Sequence, residues 1–262
     1  MAGFELVKWY ADAVTGEGDA VILYSAELHW RGPAIHYTSL LTRSNGRPTA
    51  SRFSLRAQPP PEIREGAVAW TSRAWKADGR WDDLGGGIRE MLFESPGGSL
   101  EWECIAPRAR AEFRIAGAGE FRGWGYVERL RLSLPPWRLP IRCLRWGRFV
   151  NETDALVWID WSGAFNRRVV HSNGAPVAAE TIGDREVVLA DGAGVLALEP
   201  LATLREGALG ATALSVLPDL DRLFPARILR VQERKWLSRA ALRRPGRPDS
   251  YGMAIHEVVE WP

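Results

Sequence analysis

The stretch Arg122-Gly123-Trp124-Gly125-Tyr126-Val127-Glu128-Arg129-Leu130-Arg131-Leu132 sets a carboxylate among aromatic rings. Side chains of a strand alternate between its faces. Trp124, Tyr126, Glu128, Leu130 and Leu132 therefore share one face, and Arg129 and Arg131 share the other. Arginine favours water, which turns Glu128 inward. A carboxyl group desolvated among rings is pushed toward its neutral form unless a cation compensates, and a carboxylic acid still protonated near neutrality can serve as a general acid. Glu128 is the candidate proton donor, and Tyr126 the candidate hydrogen-bond donor to a substrate carbonyl. A purely structural role competes: Glu128 pairs with an inward arginine, for which Arg148, sharing a face with Leu144, Trp146 and Val150, is the candidate. Gly123 and Gly125, on the outer face with the arginines, weaken the strand and predict a bulge or a close backbone approach.

Two more segments carry acidic residues among apolar ones. In Ala155-Leu156-Val157-Trp158-Ile159-Asp160-Trp161 both faces are apolar and Asp160 shares a face with Trp158. In Tyr251-Gly252-Met253-Ala254-Ile255-His256-Glu257-Val258-Val259, Glu257 shares a face with Met253, Ile255 and Val259, while His256 looks the other way, as a satisfied core histidine does. The chain has 13 tryptophans in 262 residues. Indole brings a large apolar surface with one N–H donor, so these rings either fill a β-core or line a cavity for an apolar ligand. On the second reading the ligand-binding set is Trp124, Trp146, Arg148, Trp158, Asp160 and Glu257.

The elements that must position these residues are strands. Ile22, Tyr24, Ala26, Leu28 and Trp30 alternate with Ser25, Glu27 and His29, and Leu100, Trp102 and Cys104 alternate with Glu101 and Glu103. Such runs recur between turn signals: Ser44-Asn45-Gly46, Ala77-Asp78-Gly79, Pro96-Gly97-Gly98, Ser172-Asn173-Gly174 and Ala190-Asp191-Gly192. The fold class is all-β, a barrel or sandwich. One helical turn is predicted over Leu217–Leu223, with Asp219 as its cap. Pro135, Pro136 and Pro140 interrupt the ladder near the midpoint and predict two domains, 1–135 and 136–262, each near the lower size for a closed eight-stranded barrel. No internal repeat is legible.

Composition narrows the function. The net charge is +2, from 34 basic and 32 acidic residues, and gives no reason to expect nucleic acid. Arg239, Arg243, Arg244 and Arg247 read as a solvated loop. No apolar run is long enough for a membrane span, leaving at most transient contact with a membrane surface, and the N-terminus lacks a signal-peptide pattern. A cytoplasmic location with Cys104 and Cys143 reduced is expected. The four histidines show no metal spacing, and there is no phosphate loop, serine elbow or strand–helix alternation. Any activity is expected to be cofactor-free.

At Gly123-Trp124-Gly125-Tyr126-Val127-Glu128, at the aromatic strands Leu144–Phe149 and Leu156–Trp161, and at the closing Ile255-His256-Glu257, the chain resembles the two-domain lipocalin-like family that includes the carotenoid 1,2-hydratases. That family has a glycine–tyrosine pair followed closely by an acidic residue. It departs after that residue, where the hydratases continue with histidine, asparagine and a tryptophan–glycine pair and this chain has Arg129, Leu130, Arg131 and Leu132. The resemblance implies two consecutive lipocalin-like antiparallel barrels and a reaction on an apolar isoprenoid or polyene, by hydration or cyclisation. Binding or carriage of a hydrophobic small molecule without chemistry is the alternative.

Overall fold

The computed structural model describes residues 3–44, 46–117, 119–212, 214–215 and 224–262. The helical turn expected over Leu217–Leu223 and Asn45 of the first turn signal lie outside the described residues. The chain divides into two compact units, Met1–Leu139 and Pro140–Pro262. The Pro136–Arg138 turn stays with the first unit, where the Trp137 ring packs edge-on against Phe4 and Trp30.

The first unit is one antiparallel sheet of ten strands: β1 (Glu5–Val14), β2 (Ala20–His29), β3 (Ile35–Arg43), β4 (Ala50–Ser54), β5 (Glu62–Arg64), β6 (Ala67–Ser72), β7 (Ala77–Asp82), β8 (Ile88–Ser95), β9 (Gly98–Ile115) and β10 (Gly119–Leu132). Their order is β4-β3-β2-β1-β10-β9-β7-β6-β5, with β8 on the early part of β9. The second unit holds β11 (Ile141–Val150), β12 (Ala155–Gly163), β13 (Arg167–Ser172), β14 (Ala175–Pro176), β15 (Ala179–Ile182), β16 (Glu186–Leu189), β17 (Gly194–Ala208), β18 (Gln232–Arg243) and β19 (Ser250–Glu260), in the order β14-β13-β12-β11-β19-β18-β17-β16-β15. The units thus repeat one topology: each sheet pairs its first strand with its last and grows outward from that pair. Both sheets curl, giving two consecutive lipocalin-like antiparallel half-barrels.

Several details differ from the sequence reading. The strand carrying Leu100, Trp102 and Cys104 does not end at Pro107: β9 runs on to Ile115, with Pro107 at a bulge where the ladder to β10 skips from Ala106 to Ala109. Residues Ala226–Leu229 form one helical turn, α1, just before β18. Arg239 and Arg243 belong to β18 and not to a loop, and Arg244 donates to Asp154 Oδ1 at 2.7 Å. The turn expected at Ala77-Asp78-Gly79 is strand instead, the start of β7 paired with β6 and β9, and the chain turns before it at 73–76. At Asn173 and Gly174 the turn is where the sequence puts it: their φ values are 50° and 81°, as the two-residue connection between β13 and β14 requires.

Cross-strand register shows what each face buries. In the first unit Ala11 faces Val127 and Leu23, and Ala13 faces Gly125. Ala11, Ala13, Leu23 and Val127 join Trp70, Trp81 and Phe113 in the apolar core. Tyr10, Asp12, Tyr126 and Glu128 lie on the opposite face of the same strands and are buried as well. The centre of the sheet is therefore covered on both sides. Arg129, expected to be solvated, shares the core side with Trp9 and is half-buried: it is ion-paired with Glu103 and its guanidinium lies 5.3 Å from the Trp9 ring centroid. A carboxylate and an aromatic face replace the water it would otherwise need.

Gly125, expected on the outer face, lies instead on the core side, which demands glycine there. A Cβ there would stand 2.5 Å from the Asp12 carbonyl oxygen, 2.6 Å from Trp81 Nε1 and 2.7 Å from Ala111 Cβ. The space is taken by the Trp81 indole, whose N–H donates to the Asp12 carbonyl at 2.8 Å. Gly125→Ala is expected to destabilise the first unit by about 3 kcal/mol through overpacking, whereas Gly86→Ala, with nothing within 4 Å, should leave it unchanged. Urea unfolding followed by tryptophan fluorescence checks the pair, and equal midpoints would refute the close-approach argument.

Candidate functional site

The chemistry in the first unit gathers on the first–last strand pair. Tyr10 and Asp12 stand two residues apart on β1, and Tyr126 and Glu128 two residues apart on β10. The register sets Tyr10 opposite Glu128 and Asp12 opposite Tyr126, so phenols and carboxyls alternate around a square on one face. Each phenol serves the carboxyl of its own strand. Tyr10 O–H donates to Asp12 Oδ2 at 2.6 Å, and Tyr126 O–H donates to Glu128 Oε2 at 2.6 Å. Across the next ladder Trp102 Nε1–H donates to the same Oε2 at 2.6 Å, and Cys104 is the direct register partner of Glu128. Tyr24 closes the cluster, its ring edge-on to Tyr10 at 5.0 Å.

Protonation states follow from burial. The Tyr126 phenol is held well above the usual tyrosine range, first by desolvation and then by the charges of Cys104 and Glu128. It stays an O–H and donates at every ordinary pH. The Cys104 thiol is pushed well up, again first by burial and then by Glu128, so it remains a neutral thiol. Glu128 thus sits in a dry setting with two firm donors on one oxygen. If it carries a proton, that proton rides on Oε1, because a tryptophan can only donate to Oε2.

The other members of the expected set are distributed as follows. Trp124 lies at the end of the Glu128 face, half-buried, with the Arg108 and Arg110 guanidinium groups 5.9 and 5.7 Å from its ring. In the second unit Trp146, Arg148 and Glu257 share one face, while Trp158 is on the other, in the apolar core with Phe149, Leu196 and Leu242. Arg148 is fully buried, and its Nη1 donates to the Met253 carbonyl at 3.4 Å. Asp160 is near the end of β12 and accepts from Arg168 Nε at 2.9 Å. Glu257 is ion-paired with Lys235, whose ammonium also lies 3.8 Å from Glu233 and 5.4 Å from the Trp146 ring.

Sequence reasoning missed Tyr10, Asp12, Trp102 and Lys235. The first two were findable, since Tyr10-Ala-Asp12 has the same two-residue spacing of phenol and carboxyl as Tyr126-Val-Glu128. Trp102 already shared a face with Cys104. Nothing in Glu233-Arg234-Lys235-Trp236 marks Lys235 as a residue only 1% exposed. Among the described residues, no group of three or more histidine, cysteine, aspartate or glutamate side chains is placed to hold a metal ion, and no helix is long and apolar enough to cross a membrane.

His256 is a core residue, packed by Trp158 and stacked on Trp236 with ring centroids 5.0 Å apart, and it shares a 2.7 Å hydrogen bond with Ser238 Oγ. Burial lowers its pKa to about 4, outweighing Asp184 and Glu257, which raise it. The folded chain then binds fewer protons than the unfolded one between pH 6.5 and 4. Stability is full above pH 6.5 and falls as pH drops toward 4, by up to about 3 kcal/mol. Urea midpoints of wild type and His256→Gln across that range test this: the variant's acid slope should be shallower, and parallel slopes would refute it.

This is the architecture of two-barrel lipocalin-like proteins, and solved structures share it. CghA in complex with Sch210972 superposes with a TM-score of 0.60 at 12% identity, over 98% of this chain and 88% of that one. Kievitone hydratase from Nectria haematococca gives 0.59 at 11% identity, over 98% and 89%. An AttH-type protein from Nitrosomonas europaea gives 0.51 at 10% identity, over 97% and 92%. At such identities the likeness is one of fold. No protein-family profile matches the chain, and no curated protein matches it in sequence.

Proposed function

We propose that this chain is a cofactor-free enzyme of the hydratase or cyclase type, acting on an apolar isoprenoid or polyene, with Glu128 as proton donor. The observation that carries this reading is the buried Glu128 carboxyl, with Tyr126 O–H and Trp102 N–H both donating to Oε2. An alkene is a weak base and needs a strong acid in a site free of competing water. Burial keeps water away, and the two donors stabilise the carboxylate left behind. The alkene π pair takes the proton from Glu128, a C–H bond forms, and the more substituted carbon becomes cationic. In hydration, water oxygen then forms the C–O bond and returns a proton to Glu128. In cyclisation, an internal double bond closes on the cation and a neighbouring C–H supplies the returning proton. One protein of this fold is by name a hydratase, which supports the class of reaction and leaves the substrate to experiment.

The test is incubation of the purified protein with an acyclic carotenoid and with shorter polyenes, followed by mass spectrometry and absorbance. A product heavier by one water, or an isomer with a shortened chromophore, supports the reading. A ligand recovered unchanged but bound to the protein makes it a carrier.

A further inference from the structure

A cavity lies in the first unit, beyond the end of β1 remote from Asp12. Phe4 just precedes β1, Trp30 just follows β2, and Trp137 is carried by the Pro136–Arg138 turn. The three rings meet edge to face: Phe4–Trp30 at 6.2 Å, Phe4–Trp137 at 6.0 Å and Trp30–Trp137 at 5.1 Å. They line a half-open cavity of about 570 Å³, within the size range of small-molecule sites. Among the described residues, Arg31 and Arg138 are the charged residues that line it, and no carboxylate does. Among the described residues neither arginine is ion-paired.

The cavity walls are held in place. Arg31 takes a left-handed backbone, φ 56°, and its guanidinium lies over the Trp30 ring, 4.6 Å from the centroid. Stacking uses the face of a guanidinium and leaves its N–H edges for an anion. Of the other lining residues, Ser133 is fixed to the start of β9: Ser99 N–H donates to its Oγ at 2.8 Å, and a Cβ at Gly98 would stand 2.8 Å from its carbonyl oxygen. An aromatic box lined by two exposed cations and, among the described residues, by no anion is complementary to one ligand chemistry. We infer that this cavity binds a small apolar carboxylate, its ring system against Trp30 and Trp137 and its carboxylate on Arg31 and Arg138.

The test is calorimetric titration of the full chain with naphthalene-1-carboxylate and with the uncharged, nearly isosteric naphthalene-1-carboxamide. The carboxylate should bind with one-to-one stoichiometry and at least tenfold tighter than the amide. The exposed pair Arg31→Gln/Arg138→Gln should weaken it tenfold or more without shifting thermal unfolding, and Trp137→Leu should weaken both ligands. Glu128→Gln should bind the carboxylate like wild type, which separates this site from the proposed acid. Equal affinity for acid and amide, or undiminished binding by the double glutamine variant, would overturn the inference, as would the absence of saturable heat.

Discussion

Replacing Glu128 with glutamine is expected to lower turnover of an unsaturated substrate by about 10²–10⁴-fold, the usual contribution of a positioned general acid, while the fold stays intact. Glutamine has the shape of the acid, and its carbonyl oxygen can still accept from Tyr126 O–H and Trp102 N–H, both 2.6 Å from Oε2 in the wild type. What it lacks is a transferable proton. Substrate binding should change little, so the loss belongs in kcat and not in KM. Tyr126→Phe removes only one of the two donors and should cost roughly tenfold to a hundredfold, the worth of one hydrogen bond to a charged acceptor. Steady-state kinetics on any substrate turned over by the wild type decides the matter. Full activity in Glu128→Gln would remove this residue as the acid and leave the square of phenols and carboxyls as a structural device.

The largest expected effect on stability is at Lys235. Lys235→Met strips the ammonium from Glu257 and Glu233, which are ion-paired with it inside the second unit. Breaking a buried pair by removing one partner typically costs about 3–5 kcal/mol, since the remaining charge keeps its desolvation penalty. Arg205, 3.7 Å from Glu233, offsets part of the loss on that side only. Adding Glu257→Gln to Lys235→Met should recover a substantial fraction, because an uncharged amide tolerates the site better than an uncompensated carboxylate. Chemical denaturation of the wild type, both single variants and the double variant forms the required cycle. A single Lys235→Met variant within 1 kcal/mol of wild type, a bound well below the range for buried pairs, would show that the ammonium is not what holds these carboxylates.

Period-two alternation made the strands legible, and with them the shared face of Trp124, Tyr126 and Glu128. It also marked the glycines as a bulge or close approach, though on the face taken as outer: β10 shifts register between Gly125 and Val127 and again between Val127 and Glu128, and a Cβ at Gly125 would collide with Trp81 on the core side. Alternation states which residues share a face and is silent on what covers that face. For this reason Arg129 read as solvated, although the sheet centre is buried on both sides, and Trp146 and Trp158 read as one lining, although they stand on opposite faces of their sheet. Polar partners across strands were illegible for the same reason. The pairing of Glu128 with Trp102 depends on a β9–β10 register that bends around Pro107, and Lys235 becomes conspicuous only once β18 lies beside β19.

The first-to-last strand pairing in each unit bears on how the chain must fold. The β1–β10 ladder joins Leu6 to Leu132, and the β11–β19 ladder joins Cys143 to Glu260. The central ladder of each sheet thus spans nearly its whole sequence, and loop closure over that distance precedes any gain from pairing, which makes for slow folding. During synthesis β1 must wait, with one edge unsatisfied, until β10 has left the ribosome. Release of a chain truncated before β10 would therefore leave a sheet without its middle, prone to aggregation.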